Sequence, residues 1–251
     1  MSLLKHLIFT AVVWTVSSNI LTAAPCWNWT GPYAGINLGI IRCYDKLRLT
    51  PKGQWGTESV ALQDFIGGNG TTRLSNWNFM GGGQVGFNYQ ACCWLLGVEV
   101  DGNYVNLGDH RRTPQLPFND LLSYSFRERI EHNWLATARA RFGYVIKTRF
   151  MTYLTGGYAT GDAKVRSKII SDLNGYQSFA SSSKILNGWT LGGGLEYALR
   201  PHFTVKAEYL YVNLGHFKTN STAGPGFAGF FEKREYSIRE DAVRIGLNYR
   251  L

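Results

Sequence analysis

The sequence predicts an all-β fold: an eight-stranded antiparallel up-and-down transmembrane β-barrel with short periplasmic turns and long extracellular loops. Three observations predict it. Segments of about ten residues alternate apolar and polar side chains, the period of a strand with one greasy and one polar face. The connections between them alternate short and long, as in outer-membrane barrels. After the N-terminal region there is no long continuous apolar run, so a membrane can be met only by a closed barrel that pairs all its backbone groups.

The N-terminus reads as an export signal. Lys5 and His6 precede an apolar run over 7–13, extended by Trp14 and Val16. Small residues follow at Ser17, Ser18, Thr22, Ala23 and Ala24. A basic start, an apolar middle and a small-residue exit form a signal peptide over 1–24, which leaves 25–251 as one barrel domain. The run is short of the roughly 20 residues a spanning helix needs. Pro25 before Cys26 does not suit lipoprotein attachment.

The first strand covers 33–41, with Ala34, Ile36, Leu38 and Ile40 outward. The second covers 79–89, with Val85, Phe87 and Tyr89 outward and Gln84 and Asn88 inward. The third, 94–104, turns Leu96, Val98 and Val100 out and Glu99 and Asp101 in. The fourth, 133–146, turns Trp134, Ala136, Ala138, Ala140, Phe142 and Tyr144 out and Arg139 and Arg141 in. The fifth, 150–160, is ambiguous, since adjacent Tyr153 and Leu154 cannot share a face. The sixth, 189–199, has Leu191, Leu195 and Tyr197 out and Glu196 in. The seventh, 203–212, has Phe203, Val205, Tyr209 and Tyr211 out and Lys206 and Glu208 in. The last, 242–251, sets Val243, Ile245, Leu247, Tyr249 and Leu251 against Ala242, Arg244, Gly246, Asn248 and Arg250.

Short connections fall at 90–93, 147–149 and 200–202, and long ones at 42–77, 105–130, 161–188 and 213–240. Pro51, Pro114, Pro117 and Pro225 fall in the long set, where strand pairing is not needed. Tryptophans and tyrosines gather near strand ends (Trp27, Trp29, Tyr33, Trp77, Trp94, Trp134, Trp189), as interfacial girdles do.

Aromatic residues make up 14% of the chain and glycine numbers 29, which suits strands and turns and argues against disorder. The formal net charge is +9, and the excess sits in the segments read as loops, at Lys46, Arg48, Arg73, Arg111, Arg112, Lys164, Arg166, Lys168, Lys184, Lys218, Lys233 and Arg234 among others. Basic loops at a membrane surface meet lipopolysaccharide phosphates or environmental and host ligands. Nucleic acid is excluded as a partner by export and by the lack of a recognition-helix pattern.

Several motifs resemble the Omp25/Omp31-type family of outer-membrane β-barrels, a porin-family group from alphaproteobacteria and related Gram-negatives. They include Trp29-Thr30-Gly31-Pro32-Tyr33-Ala34-Gly35, Gly81-Gly82-Gly83-Gln84-Val85-Gly86-Phe87-Asn88-Tyr89-Gln90 and Leu96-Gly97-Val98-Glu99. They continue with Ala138-Arg139-Ala140-Arg141-Phe142-Gly143-Tyr144, Gly188-Trp189-Thr190-Leu191-Gly192-Gly193-Gly194-Leu195-Glu196-Tyr197 and Ala207-Glu208-Tyr209-Leu210-Tyr211-Val212. The closing match is Val243-Arg244-Ile245-Gly246-Leu247-Asn248-Tyr249. The resemblance implies the cell outer membrane as location. It also implies insertion by the barrel-assembly machinery, which reads a terminal aromatic; here Leu251 takes that place and Tyr249 keeps the penultimate one.

An eight-stranded bore is just wide enough for its own side chains. The inward acids Glu99, Asp101, Glu196 and Glu208 face the inward bases Arg139, Arg141, Lys206 and Arg244. Unpaired buried charge is costly, so these eight are expected to pair and plug the bore. The rival is a narrow porin with an ion path along the same charges.

Cys26, Cys92 and Cys93 fall at the turn side, where Cys26 could bridge to one of the pair, or all could stay as thiols. Cys43 falls at the other rim, without a partner. His110, His132 and His216 fall toward the long-loop side; the resemblance admits haemin binding, for which imidazole is a natural iron ligand, but their spacing defines no site. Gly81–Gly83 and Gly192–Gly194 sit inside strands without a following helix or a Walker lysine, so they mark close packing. No metal spacing of the paired-cysteine kind appears, and no metal site is expected. The serines at 181–183 have no histidine elbow, so the chain reads as a non-enzyme.

Overall fold

The computed structural model describes residues 27–147, 149–172 and 175–251. The expected signal peptide and Cys26 lie outside the described residues. Eight long strands build the molecule: β1 (Gly31–Gly53), β2 (Thr72–Ala91), β3 (Trp94–Arg112), β4 (Ser123–Lys147), β5 (Phe150–Ser171), β6 (Gln177–Arg200), β7 (Phe203–Asn220) and β8 (Phe230–Arg250). Each pairs antiparallel with its sequence neighbour, and β1 with β8 closes the ring. Closure removes the open edges that lipid could not solvate.

The short turns fall where alternation places them. β2 and β3 meet at Cys92 and Cys93, and Cys92 takes φ 56, the left-handed conformation that a two-residue hairpin needs. The outer face carries exposed Ile36, Leu38, Ile40, Val85, Phe87, Val98, Val100, Phe142, Leu191, Ile245 and Leu247. In water such a band would be costly; in a bilayer it is the solvent-matched face. Exposed aromatics border it on both sides, with Tyr89, Trp94, Tyr144, Tyr197 and Tyr249 near the turns and Tyr44, Trp77, Tyr104, Trp134 and Trp189 at the far margin. The ambiguous fifth strand resolves with Tyr153 buried and Leu154 exposed.

The long connections are a correction. Strand runs 18 to 25 residues long replace most of 42–77, 105–130, 161–188 and 213–240. Crossing a bilayer takes only about 9–11 residues per strand, so the barrel continues well beyond the girdle. The faces do not change there, but their chemistry inverts. On β1, Ile36, Leu38 and Ile40 share the outer face with Lys46 and Arg48, while inward Asn37 gives way to inward Leu47 and Leu49. Outside lipid the exterior meets water, so the apolar side chains turn to the interior. Pro51 also lies in a strand; beyond Leu47, β1 has lost β2 and pairs only with β8, so a missing donor is tolerated.

The largest interior charge cluster lies at mid-height, and further buried charged groups, among them Asp45, Glu128, Glu232, Arg234 and Glu240, sit between the apolar layers beyond it. Trp29, Leu95, Val145, Met151, Tyr153 and Ala198 pack at the turn end. Above the polar layer comes an apolar core that includes Ile41, Leu47, Met80, Leu135, Val165, Leu210 and Ile238. The far end is covered by a 3-10 turn (Gln54–Thr57) and α1 (Val60–Gly70), which lie between β1 and β2. Ser59 caps α1 by accepting the Leu62 N–H at 3.2 Å, and the helix buries Leu62 and Ile66. Trp55 packs edge-on against Tyr176 and Phe230, each at 5.1 Å. Among the described residues no helix is long and apolar enough to cross a membrane.

Candidate functional site: the charged bore and the cationic outer face

Alternation along five strands brings the eight charged side chains into the bore. Glu99 and Asp101 come from β3, Arg139 and Arg141 from β4, Glu196 from β6, Lys206 and Glu208 from β7, and Arg244 from β8. Their side chains are at most 3% exposed. Arg139 bonds Glu99, Asp101 at 2.8 Å and Glu208 at 3.0 Å. Arg244 donates to Asp101 at 2.9 Å and to Glu208 at 2.7 Å. Lys206 Nζ lies 2.7 Å from each Glu99 oxygen. Arg141 donates to Glu196 at 2.6 Å and to the Tyr33 hydroxyl at 2.6 Å. Four acids and four bases make a neutral set, the condition under which low-dielectric burial of charge is tolerated.

Two tyrosines complete the network; the sequence placed Tyr33, like Trp29, in the interfacial girdle and left Tyr153 ambiguous, but all three are buried inside the barrel. Tyr33 donates to Glu99 at 2.7 Å, Tyr153 donates to Glu208 at 3.0 Å, and the Arg141 guanidinium stands 4.0 Å over the Tyr153 ring. Both sit opposite a glycine: Tyr33 faces Gly86 and Tyr153 faces Gly194 in register. A Cβ on Gly86 would lie 2.4 Å from the Tyr33 ring, so the glycine is the seat of the ring. A tyrosine opposite a strand glycine was the available signal. Gln84, Asn37 and Asn248 extend the network, linked at 2.7 Å.

The histidines are not brought together. His110 and His216 are exposed, on β3 and β7, diametrically opposed in the ring. His132 is buried inside β4. One haem iron cannot take imidazoles from all three. Cys92 and Cys93 hold their Sγ atoms 3.9 Å apart, so no bond joins them.

The outer face above the girdle carries a feature that only register reveals. Arg112, Arg127 and Lys168 stand side by side across β3, β4 and β5, and His110, Arg129 and Arg166 form the next row. Together they line a surface cleft bordered by Phe179. Like charges directly opposite one another in a sheet are destabilising. An anion lying across them would relieve that repulsion. Behind them, Glu128 points inward and accepts from Ser167. Burial pushes its carboxyl up to about 7, against the pull of Arg234.

Known proteins match this chain over most of its length. The family described as "Outer membrane protein beta-barrel domain" matches residues 10–250. The 31 kDa outer-membrane immunogenic protein of Brucella melitensis is 32% identical over 234 residues, covering 91% of this chain and 87% of that relative. The 22 kDa outer membrane protein of Rhizobium leguminosarum is 31% identical over 190 residues, covering 73% and 74%. Among solved structures, the outer membrane protein OprG of Pseudomonas aeruginosa aligns with a TM-score of 0.44 at 14% identity, over 90% of this chain and 98% of that one.

Proposed function

The chain belongs to the outer membrane protein β-barrel family, and we propose that within it this protein is a closed, non-conducting member with a structural and surface-interaction role. The carrying observation is the neutral cluster of Glu99, Asp101, Glu196, Glu208, Arg139, Arg141, Lys206 and Arg244, paired wall to wall across the bore. Apolar layers on either side and the α1 cover support the same reading, because an ion would have to pass all of them. The four carboxylates of this cluster are held by basic partners, which supports a structural role for them. Planar-bilayer recording tests it: protein from outer membranes should show no steady conductance, and a steady large conductance per monomer would favour the narrow-porin reading.

For the surface role, the rows of Arg112, Arg127, Lys168 and of Arg129, Arg166 support lipopolysaccharide phosphate as ligand. They stand beyond the lipid band: Arg127 lies seven residues past the girdle residue Trp134 on β4, roughly 23 Å along the strand. Haemin is the second surface ligand to test, by Soret titration of His110→Ala and His216→Ala separately, since each would act alone. Export through a cleaved signal peptide and insertion by the barrel-assembly machinery complete the proposal.

A further inference from the structure

A second polar cluster lies inside the barrel just beyond the girdle, and it differs from the first in being unbalanced. Cys43 on β1 faces Glu240 on β8 in register, and its Sγ lies 3.4 Å from Glu240 Oε1. His132 comes from β4, across the bore from β8. One ligand atom from each of Cys43, His132 and Glu240 lies within 4.8 Å of the others. Asp45, two residues along β1, places Oδ2 3.4 Å from His132 Nε2. All four residues are at most 4% exposed.

A β-bulge delivers the histidine. The β4–β5 register shifts between Glu131 and Leu135, which lets both His132 and Leu135 face inward. Asp162 holds the bulge by accepting the Asn133 and Trp134 N–H groups at 2.7 and 3.0 Å. Its backbone carbonyl takes the His132 Nδ1–H at 2.9 Å. A carbonyl can only accept, so Nε2 is the nitrogen left for the site. Metal-ligating histidines are oriented by this kind of contact.

Two further facts point to a cation. Glu240 Oε2 and Asp45 Oδ1 are buried with no hydrogen-bond partner. Among the described residues no lysine or arginine pairs with either carboxylate, so His132 alone faces both. Buried carboxylates without balancing charge are costly, and the central cluster balances its own fully. The apolar packing around Cys43 and Ile238 offers no compensation.

We propose that Cys43, His132 and Glu240 form a binding site for a divalent transition-metal ion of the zinc class, with Asp45, which stands 3.4 Å from His132 Nε2, as a further carboxylate donor. One thiolate, one imidazole and carboxylate oxygen are the ligand set of tetrahedral zinc. With metal–ligand lengths of about 2.0–2.3 Å, tetrahedral edges are about 3.3–3.6 Å. The Cys43–Glu240 and His132–Asp45 separations, both 3.4 Å, already have that length. Binding releases the Cys43 thiol proton to solvent and replaces the Asp45–His132 contact with bonds to the ion.

The test uses the mature chain folded in detergent, reduced and stripped with chelator, in a background where Cys43 is the sole cysteine (Cys26→Ser, Cys92→Ser, Cys93→Ser). Cobalt(II) should bind at one equivalent with a thiolate-to-cobalt charge-transfer band, and zinc should abolish that band. Glu240→Gln and Cys43→Ser should each weaken zinc binding at least about tenfold, while His110→Ala on the outer face should leave it unchanged. Absence of the thiolate band in the sole-cysteine chain overturns the site whatever the variants do. So does zinc binding that survives Cys43→Ser undiminished.

Discussion

Lys206 and Glu99 stand on diametrically opposed strands, β7 and β3, and the Lys206 ammonium lies 2.7 Å from both Glu99 oxygens. This contact spans the barrel. It ties opposite walls together at the height where the exterior is most apolar, and it places an ion pair where an open pore would need water.

Loss of one partner should therefore cost more than loss of both. Glu99 also meets Arg139 and the Tyr33 hydroxyl, so Glu99→Gln leaves several buried cations short of an acid. Removing one side of a buried pair costs about 3–5 kcal/mol. Glu99→Gln should lower folding stability by that order, and Lys206→Met by less, because three arginines still serve the carboxylates. Glu99→Leu with Lys206→Met should recover much of the loss. Urea unfolding in micelles, followed by tryptophan fluorescence, measures all of them.

Glu128 predicts a pH response from the barrel beyond the membrane. Its folded pKa of about 7 lies above the ordinary 4.5, so between these values the folded chain holds a proton that the unfolded chain has lost. That contribution is full below pH 4.5 and is lost as pH rises through 7, on the order of 3 kcal/mol. Glu128→Gln, which imitates the protonated form, should flatten the urea midpoint between pH 4.5 and 7 and raise it at pH 8. An unchanged slope would remove Glu128 as the cause.

The cationic rows predict opposite signs in two media. Arg127→Ser with Lys168→Ser removes a repulsive row and should stabilise the barrel in plain detergent, by about 0.2–1 kcal/mol per pair. In lipopolysaccharide the same change should lower the thermal midpoint relative to wild type, and the difference should shrink with added salt. Equal shifts in both media would mean that these residues do not engage the phosphates. Heat-modifiable gel mobility reads the midpoint.

Gly86 predicts a packing effect. Gly86→Val drives a side chain into the Tyr33 ring and should cost about 1–3 kcal/mol. Because Tyr33 also donates to Glu99, the loss should be partly shared with Tyr33→Phe in a double-mutant cycle.

Within the bilayer the pattern was legible on every strand but the fifth, where adjacent Tyr153 and Leu154 hid it. A lipid-facing wall forces strict alternation, so Glu99, Asp101, Arg139, Arg141, Glu196, Lys206, Glu208 and Arg244 could be assigned inward from period alone. Beyond the girdle the same period was masked. There charged residues such as Lys46 and Arg127 are outside and apolar ones such as Leu47 and Phe126 inside, which looks like loop composition when the expected outer face is greasy.

The sequence by itself determined the number of strands, the side on which they turn, the inward set of charges and the membrane location, because each depends on local period and on what lipid requires of a backbone. Only the tertiary structure decided which charges meet, that Tyr33 and Tyr153 join them, and that Cys43, His132 and Glu240 converge. Those contacts join strands opposite one another in the ring, and one bulge before Trp134 sets the direction of His132. Barrel closure and register bring such residues together, and neither can be read from a single strand.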